Sequence, residues 1–130
     1  MVVRFLEADK DPLRLKGDDE EVLEPEVPYL SAIGALMYLT NCTRPDTAFA
    51  INLLARHSVA PTRRHWVGVK TILRYLQDTQ DLGLWFLKNQ APTMVGYVDA
   101  GYMSDPHNAR SQTGFVFLYG SAAISWRSVK

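Results

Sequence analysis

Cysteine is almost missing from this chain: there is one thiol, Cys42, in 130 residues. A single cysteine cannot build an internal disulfide framework, so no disulfide partner is expected and a reducing compartment fits. No apolar run approaches the roughly 18 residues that span a bilayer, and no membrane partner is expected either. His57, His65 and His107 have no metal-ligand spacing with one another or with Cys42, which leaves a zinc site without support. Ser111 and Ser125 lack a nearby base, so nothing points to nucleophilic catalysis. The N-terminus reaches Glu7 and Asp9 before a signal-peptide apolar core can form, and an intracellular chain is the expectation.

Net charge is absent too, with 14 Lys+Arg against 14 Asp+Glu. The balance conceals segregation. Residues 1–27 carry nine acidic against four basic side chains, and residues 28–130 carry five against ten. An acidic arm therefore precedes a mildly basic body. The arm has little to bury and reads as disordered or loosely attached over 1–27. Its twin Asp18-Asp19 imitates the metal-binding aspartates of a polymerase palm. Those need an apolar β-hairpin around them, and the flanks here are Leu15-Lys16-Gly17 and Glu20-Glu21.

What is present supports one modest core, at 47% hydrophobic residues. Leu30, Ile33, Leu36 and Met37 recur at helical spacing, and Asn41-Cys42-Thr43 ends that helix. A second helix opens at Thr43-Arg44-Pro45-Asp46, with Thr43 or Arg44 as cap, Pro45 in the first turn and Asp46 complementing the dipole. Ala60-Pro61 breaks the chain, and Thr62 caps a third helix. Trp66, Val69, Leu73 and Leu76 line one of its faces; Arg63, Lys70, Arg74 and Gln77 line the other. Beyond Gly83 the pattern changes to strands. Leu84-Trp85-Phe86-Leu87 is expected to pair, across a turn at 88–92, with a strand at 95–99. Thr113-Gly114-Phe115-Val116-Phe117-Leu118-Tyr119 is apolar on both faces, as a central strand should be. Gly120-Ser121 turns into a last strand at 122–127. Helices and strands are segregated, so the class is α+β, with an arm at 1–27, a helical block at 28–83 and an antiparallel sheet at 84–130.

In the strand Met94-Val95-Gly96-Tyr97-Val98-Asp99-Ala100 and beyond it, Tyr97-Val98-Asp99-Ala100, then Asp105, then Arg110-Ser111-Gln112-Thr113-Gly114-Phe115-Val116-Phe117, then Ile124-Ser125-Trp126-Arg127-Ser128 resemble the opening of the RNase H domain in copia-type LTR retrotransposon polyproteins. Pro28-Tyr29-Leu30-Ser31-Ala32-Ile33-Gly34-Ala35-Leu36-Met37-Tyr38-Leu39, Thr43-Arg44-Pro45-Asp46, His65-Trp66 and Leu73-Arg74-Tyr75-Leu76 look like the thumb-like connection that precedes it in the same family. The resemblance runs in unbroken order over residues 27–130. It implies that Asp99 matches the first metal-binding carboxylate of the RNase H domain, the catalytic and metal ligand position. The family usually reads Asp-Ala-Asp-Trp where this chain has Asp99-Ala100-Gly101-Tyr102, and Asp105 falls in a loop with Pro106 and His107.

Arg44, Arg56, Arg63, Arg64, Lys70 and Arg74 crowd the second and third helices, with Asp46 the only acid near them. By the resemblance, Arg63, Arg64, Lys70 and Arg74 are candidates for contact with the phosphates of a template–primer or RNA–DNA hybrid; the plain alternative is an ordinary solvated face. The expected identity is a fragment of the polyprotein, whose parent joins RNA-directed DNA synthesis to Mg²⁺-dependent cleavage of RNA–DNA hybrids. The fragment alone is expected to be inactive and to hold no cofactor. The rival expectations are a small interaction protein or secreted RxLR effector-like protein built on the same segment, and a free-standing nucleic-acid-binding module. Pro12-Leu13-Arg14-Leu15-Lys16 is not Arg-x-Leu-Arg, which speaks against the effector label.

Overall fold

The computed structural model describes residues 14, 16–88, 91, 93–101 and 112–129. Among the described residues, three helices precede a three-stranded sheet: α1 (Tyr29–Cys42), a 3-10 turn (Pro45–Thr47), α2 (Ala48–Ala55), α3 (Arg63–Asp78), β1 (Met94–Gly101), β2 (Gln112–Tyr119) and β3 (Ala122–Val129). The strand order is β1-β2-β3, antiparallel throughout, and β2 is central as its two apolar faces require.

The core lies among the helices, built from Tyr29, Ile33, Leu36, Ile51, Leu54, Val69 and Ile72. α1 turns a different face inward from the one its leucine spacing predicts. Tyr29, Ile33, Leu36 and Thr40 are buried, whereas Leu30 is 67% exposed and Met37 lies at the surface. The tyrosine sets this rotation. Its hydroxyl donates to the Leu54 carbonyl at 2.8 Å, and its ring lies 6.4 Å from that of Trp66. A buried phenol must keep a hydrogen-bond partner. Burial also pushes the Tyr29 pKa up to about 12, so the phenol stays a donor across the physiological range.

The second helix begins later than expected. Residues 45–47 form a 3-10 turn, and neither Thr43 nor Arg44 places a side-chain cap on it. Thr47 Oγ1 bonds the Arg44 carbonyl at 2.9 Å and Thr40 Oγ1 at 2.8 Å, tying the turn to α1. Thr62 does cap α3, in a reciprocal box: its side chain accepts from the third-residue amide, and its own N–H donates to His65 Nδ1 at 3.0 Å. The imidazole stands where a Glu or Gln is usual. Because Nδ1 accepts there, the ring is neutral with its proton on Nε2, which donates to the Arg14 carbonyl at 3.1 Å. The buried stripe of α3 is His65, Val69 and Ile72, with Trp66 and Leu76 at its margin; Leu73, expected inside, is 44% exposed.

Two further expectations change. Leu84-Trp85-Phe86-Leu87 forms no strand, and Trp85, Phe86 and Leu87 are all exposed. Apolarity favours a strand only where a ladder partner takes up the backbone groups. Residues 82–84 and 86 instead share a cavity with Asn41, Cys42, Thr43 and β3 residues 123, 124 and 126, on the side of the sheet away from β1. The acidic arm is also not uniformly loose. Val22 pairs with Thr62, Leu23 N–H donates to the Pro61 carbonyl at 2.8 Å, and the Leu23 side chain packs on the core. The expectation for residues 1–13 lies outside the described residues.

The sheet meets the helices through β3. Trp126 Nε1 donates to the Thr40 carbonyl of α1 at 2.8 Å. Register then places two cross-strand rows on the helix-facing side: Tyr97, Val116, Trp126 and Asp99, Gly114, Ser128. Gly120, at φ 63, makes the two-residue turn into β3 that an L side chain would strain.

Candidate nucleic-acid interface

Arg63, Lys70 and Arg74 occupy one line on α3. At 3.6 residues per turn, the intervals from Arg63 to Lys70 and to Arg74 return each side chain to within about 20° of the first. The line is roughly 16 Å long at 1.5 Å rise per residue. It lies opposite the buried stripe of His65, Val69 and Ile72, and all three cations are exposed. No ion pair to any of the three occurs among the described residues. Their charge is therefore open to solvent and to a polyanion.

The other expected cations are placed elsewhere. Arg64 lies about 100° around the helix from Arg63, where it donates to Glu20 Oε2 at 2.6 Å and to the Arg14 carbonyl at 3.2 Å. Burial works against the Glu20 carboxylate. The hydrogen bonds from Arg64 and the Gly17 N–H and the charges of Arg64 and Arg14 outweigh it, and its pKa falls below the usual range. Arg44 is a structural residue. Its guanidinium is buried, holds Asp46 through Nε at 3.0 Å and Nη2 at 2.8 Å, and reaches the Thr79 carbonyl and hydroxyl at the end of α3. Its carbon centre sits 5.4 Å over the Tyr75 ring. The Arg44 hydrogen bond is the main reason Asp46 has a lowered pKa, and Asp46 in turn raises that of Arg44. Arg56 is half-buried, and burial lowers its pKa.

Asp99 stands apart from the cation line. It lines a groove of about 530 Å³ between the helix-facing side of the sheet and the segment that starts α2, with Asp46, Phe49, Tyr97, Gln112, Trp126 and Ser128 among the walls; no α3 residue lines it. Met94 to Ala100 are exposed on both faces, and among the described residues Asp99 makes no ion pair. The other carboxylate of the groove, Asp46, is committed to Arg44 and to the Tyr75 hydroxyl at 2.8 Å. No group of three potential metal ligands occurs among the described residues, and Asp105 lies outside them.

Sequence spacing does not bring His57 and His65 together, yet the fold stacks them, with ring centroids 3.9 Å apart and planes 12° from parallel. Imidazole lone pairs lie in the ring planes, so stacked rings do not converge on one ion. The signal was the Ala60-Pro61 break, which folds the end of α2 back over the first turn of α3. Among the described residues, no helix is long and apolar enough to cross a membrane.

Comparison with known proteins gives two sets of names over alignments of nearly equal length. The chain is 45% identical over 104 residues to a secreted RxLR effector protein 161 of Plasmopara viticola, covering 80% of this chain and 73% of that protein. It is 45% identical over 103 residues to the retrovirus-related Pol polyprotein from transposon TNT 1-94 of Nicotiana tabacum, and 36% identical over 102 residues to that from transposon RE2 of Arabidopsis thaliana. These alignments take in 79% and 78% of this chain but only 8% and 7% of the polyproteins. No protein-family profile matches the chain, and no solved structure does.

Proposed function

Because the chain belongs to the family of retrovirus-related Pol polyproteins of copia-type transposons, we propose that it is the thumb-like connection and the first RNase H strands of such a polyprotein, and that α3 carries its contact with nucleic acid. The observation that carries this reading is the exposed line of Arg63, Lys70 and Arg74 on the side of α3 opposite the core. A rigid helix with cations on one line follows a phosphate backbone and reads no bases. Arg64 stands about 100° around the helix from that line, paired with Glu20. In the parent polyprotein the partner is a template–primer or RNA–DNA hybrid, within RNA-directed DNA synthesis and Mg²⁺-dependent hybrid cleavage. The chain acts inside the cell.

A titration of a labelled RNA–DNA hybrid at low salt tests the contact. The chain binds weakly, and Lys70→Glu/Arg74→Glu weakens it by at least tenfold while leaving the helical circular dichroism intact. Binding unaffected by the reversal would assign the line to an ordinary solvated face.

Asp99 corresponds to the first RNase H carboxylate, and on this reading it is silent in the 130-residue chain. Two-metal hydrolysis needs carboxylates clustered around cations about 3.5–4 Å apart, and Asp46 is already held by Arg44. Purified chain therefore leaves a hybrid uncut in Mg²⁺ or Mn²⁺. Metal-dependent cleavage that vanishes in Asp99→Asn would show that the chain assembles a complete site.

The name of one relative favours a second reading, a secreted effector-like interaction protein. Recovery of the chain from a secreted fraction would support it. The segment shared with the polyproteins accounts for that similarity without secretion.

A further inference from the structure

The chain's own acidic segment is bound to Arg64, the residue after the first cation of the line. Four consecutive carboxylates, Asp18-Asp19-Glu20-Glu21, lead into the stretch that crosses the start of α3. That stretch is fixed at three points: the Val22–Thr62 bridge, the Leu23 N–H to the Pro61 carbonyl at 2.8 Å, and Leu23 against the core. Within it, Glu20 accepts from Arg64 at 2.6 Å and from Arg14 at 3.4 Å. Arg64 immediately follows Arg63, the first cation of the line.

We propose that residues 18–21 are an intramolecular competitor for nucleic acid, an autoinhibitory strap whose Glu20 carboxylate occupies on Arg64 the place a backbone phosphate would take. This rests on the proposed phosphate contact along α3 and adds its regulation. A carboxylate and a phosphodiester make the same charge-assisted hydrogen bonds to a guanidinium, so one excludes the other at a single arginine. The remaining three carboxylates add repulsion against a polyanion within a Debye length of about 8–10 Å. With the strap docked, Glu20 neutralises Arg64, and a duplex meets the three cations of the line and the three remaining carboxylates. With Glu20 released, Arg64 offers its charge beside the three-cation line, about 100° around the helix from Arg63. The Glu20 side chain is 26% and the Arg64 side chain 23% exposed, so the pair lies at the margin of the surface.

Two variants of equal charge separate the contact from net charge. Glu20→Gln removes the bond to Arg64; Glu21→Gln alters the same charge one residue away. In hybrid titrations of the whole chain at fixed low salt, Glu20→Gln binds roughly five-fold tighter than the parent chain, and Glu21→Gln changes affinity less than two-fold. Adding Arg64→Ala to Glu20→Gln abolishes the gain. Melting curves of all variants establish that each is folded. If the parent chain binds and Glu20→Gln binds no better than Glu21→Gln, the strap is a packing element and the proposal is overturned. If the gain survives Arg64→Ala, competition at Arg64 is likewise overturned. If neither the parent chain nor Glu20→Gln binds the hybrid, the underlying phosphate contact fails, and the strap has nothing to inhibit.

Discussion

Arg44→Ala is expected to destabilise the protein by about 2–4 kcal/mol, near the lower end of the range for breaking a buried ion pair, and to lower its melting temperature by roughly 10 °C. The guanidinium is the joint between the 3-10 turn and the end of α3, and its side chain is 9% exposed. Removing it leaves the Asp46 carboxylate with the Tyr75 hydroxyl and its own backbone N–H, and takes away two hydrogen bonds to Thr79. The figure is set below that of a fully buried pair because the Asp46 side chain is 34% exposed and keeps some water. Lysine is a poor replacement, since one ammonium cannot serve Asp46 as a fork and Thr79 at the same time. The pH dependence follows from the same pair. Asp46 has a lowered folded pKa, so its contribution is present above its ordinary value of 3.8 and is lost as pH falls through the folded value. The parent chain therefore loses stability in acid below pH 3.8, and Arg44→Ala flattens that limb of the curve. Urea melts at pH 7 and pH 3 measure both effects. A loss under 1 kcal/mol at pH 7, or an unchanged acid limb, would remove the joint from the account.

Trp126→Ala is expected to cost about 2–4 kcal/mol, as loss of a large, partly buried aromatic does, and to fall unevenly on the fold. The indole joins the sheet to α1 through its N–H on the Thr40 carbonyl, and its ring walls the groove that holds Asp99. β1 is exposed on both faces, and the sheet has three strands, the fewest that hold together with an apolar face to pack on. Hydrogen exchange of β2 and β3 amides should accelerate by at least an order of magnitude in the variant, while α1 and α3 amides change far less. Trp126→Phe keeps most of the packing, loses the hydrogen bond and costs about 1 kcal/mol. Uniform acceleration across helices and sheet would mean that the two layers unfold as one unit and that Trp126 is not their joint.

The helices and the central strand were legible because their signals are local. Thr62 after Ala60-Pro61 announces a cap, and Gly120-Ser121 between two apolar runs announces a hairpin. The cation line was legible for the same reason, since Arg63, Lys70 and Arg74 repeat at helical intervals. What failed depended on partners distant in the chain. Arg64 reads as an open cation until Glu20, 44 residues upstream, is found on it. Arg44 reads as a surface cation until Thr79, 35 residues downstream, is found in its fork. Tyr29 rotates α1 through a carbonyl 25 residues away, which no periodicity of leucines encodes. Leu84-Trp85-Phe86-Leu87 has the composition of a strand, but it lies toward α1 and β3 rather than beside β1. Asp99 was found from the resemblance and stands where the strand pattern puts it. Its solvated, uncompensated setting comes from the exposure of β1, which the apolar sequence of that strand disguised.

The most direct measurement is the salt dependence of hybrid binding for the parent chain and for Arg63→Ala/Lys70→Ala/Arg74→Ala. Each phosphate neutralised contributes a little under one to the slope of log affinity against log salt. Three contacts on α3 predict a slope near −2 to −3 for the parent chain, collapsing toward zero in the triple variant with the fold intact. An equal slope in both chains would place the binding surface elsewhere and contradict the account.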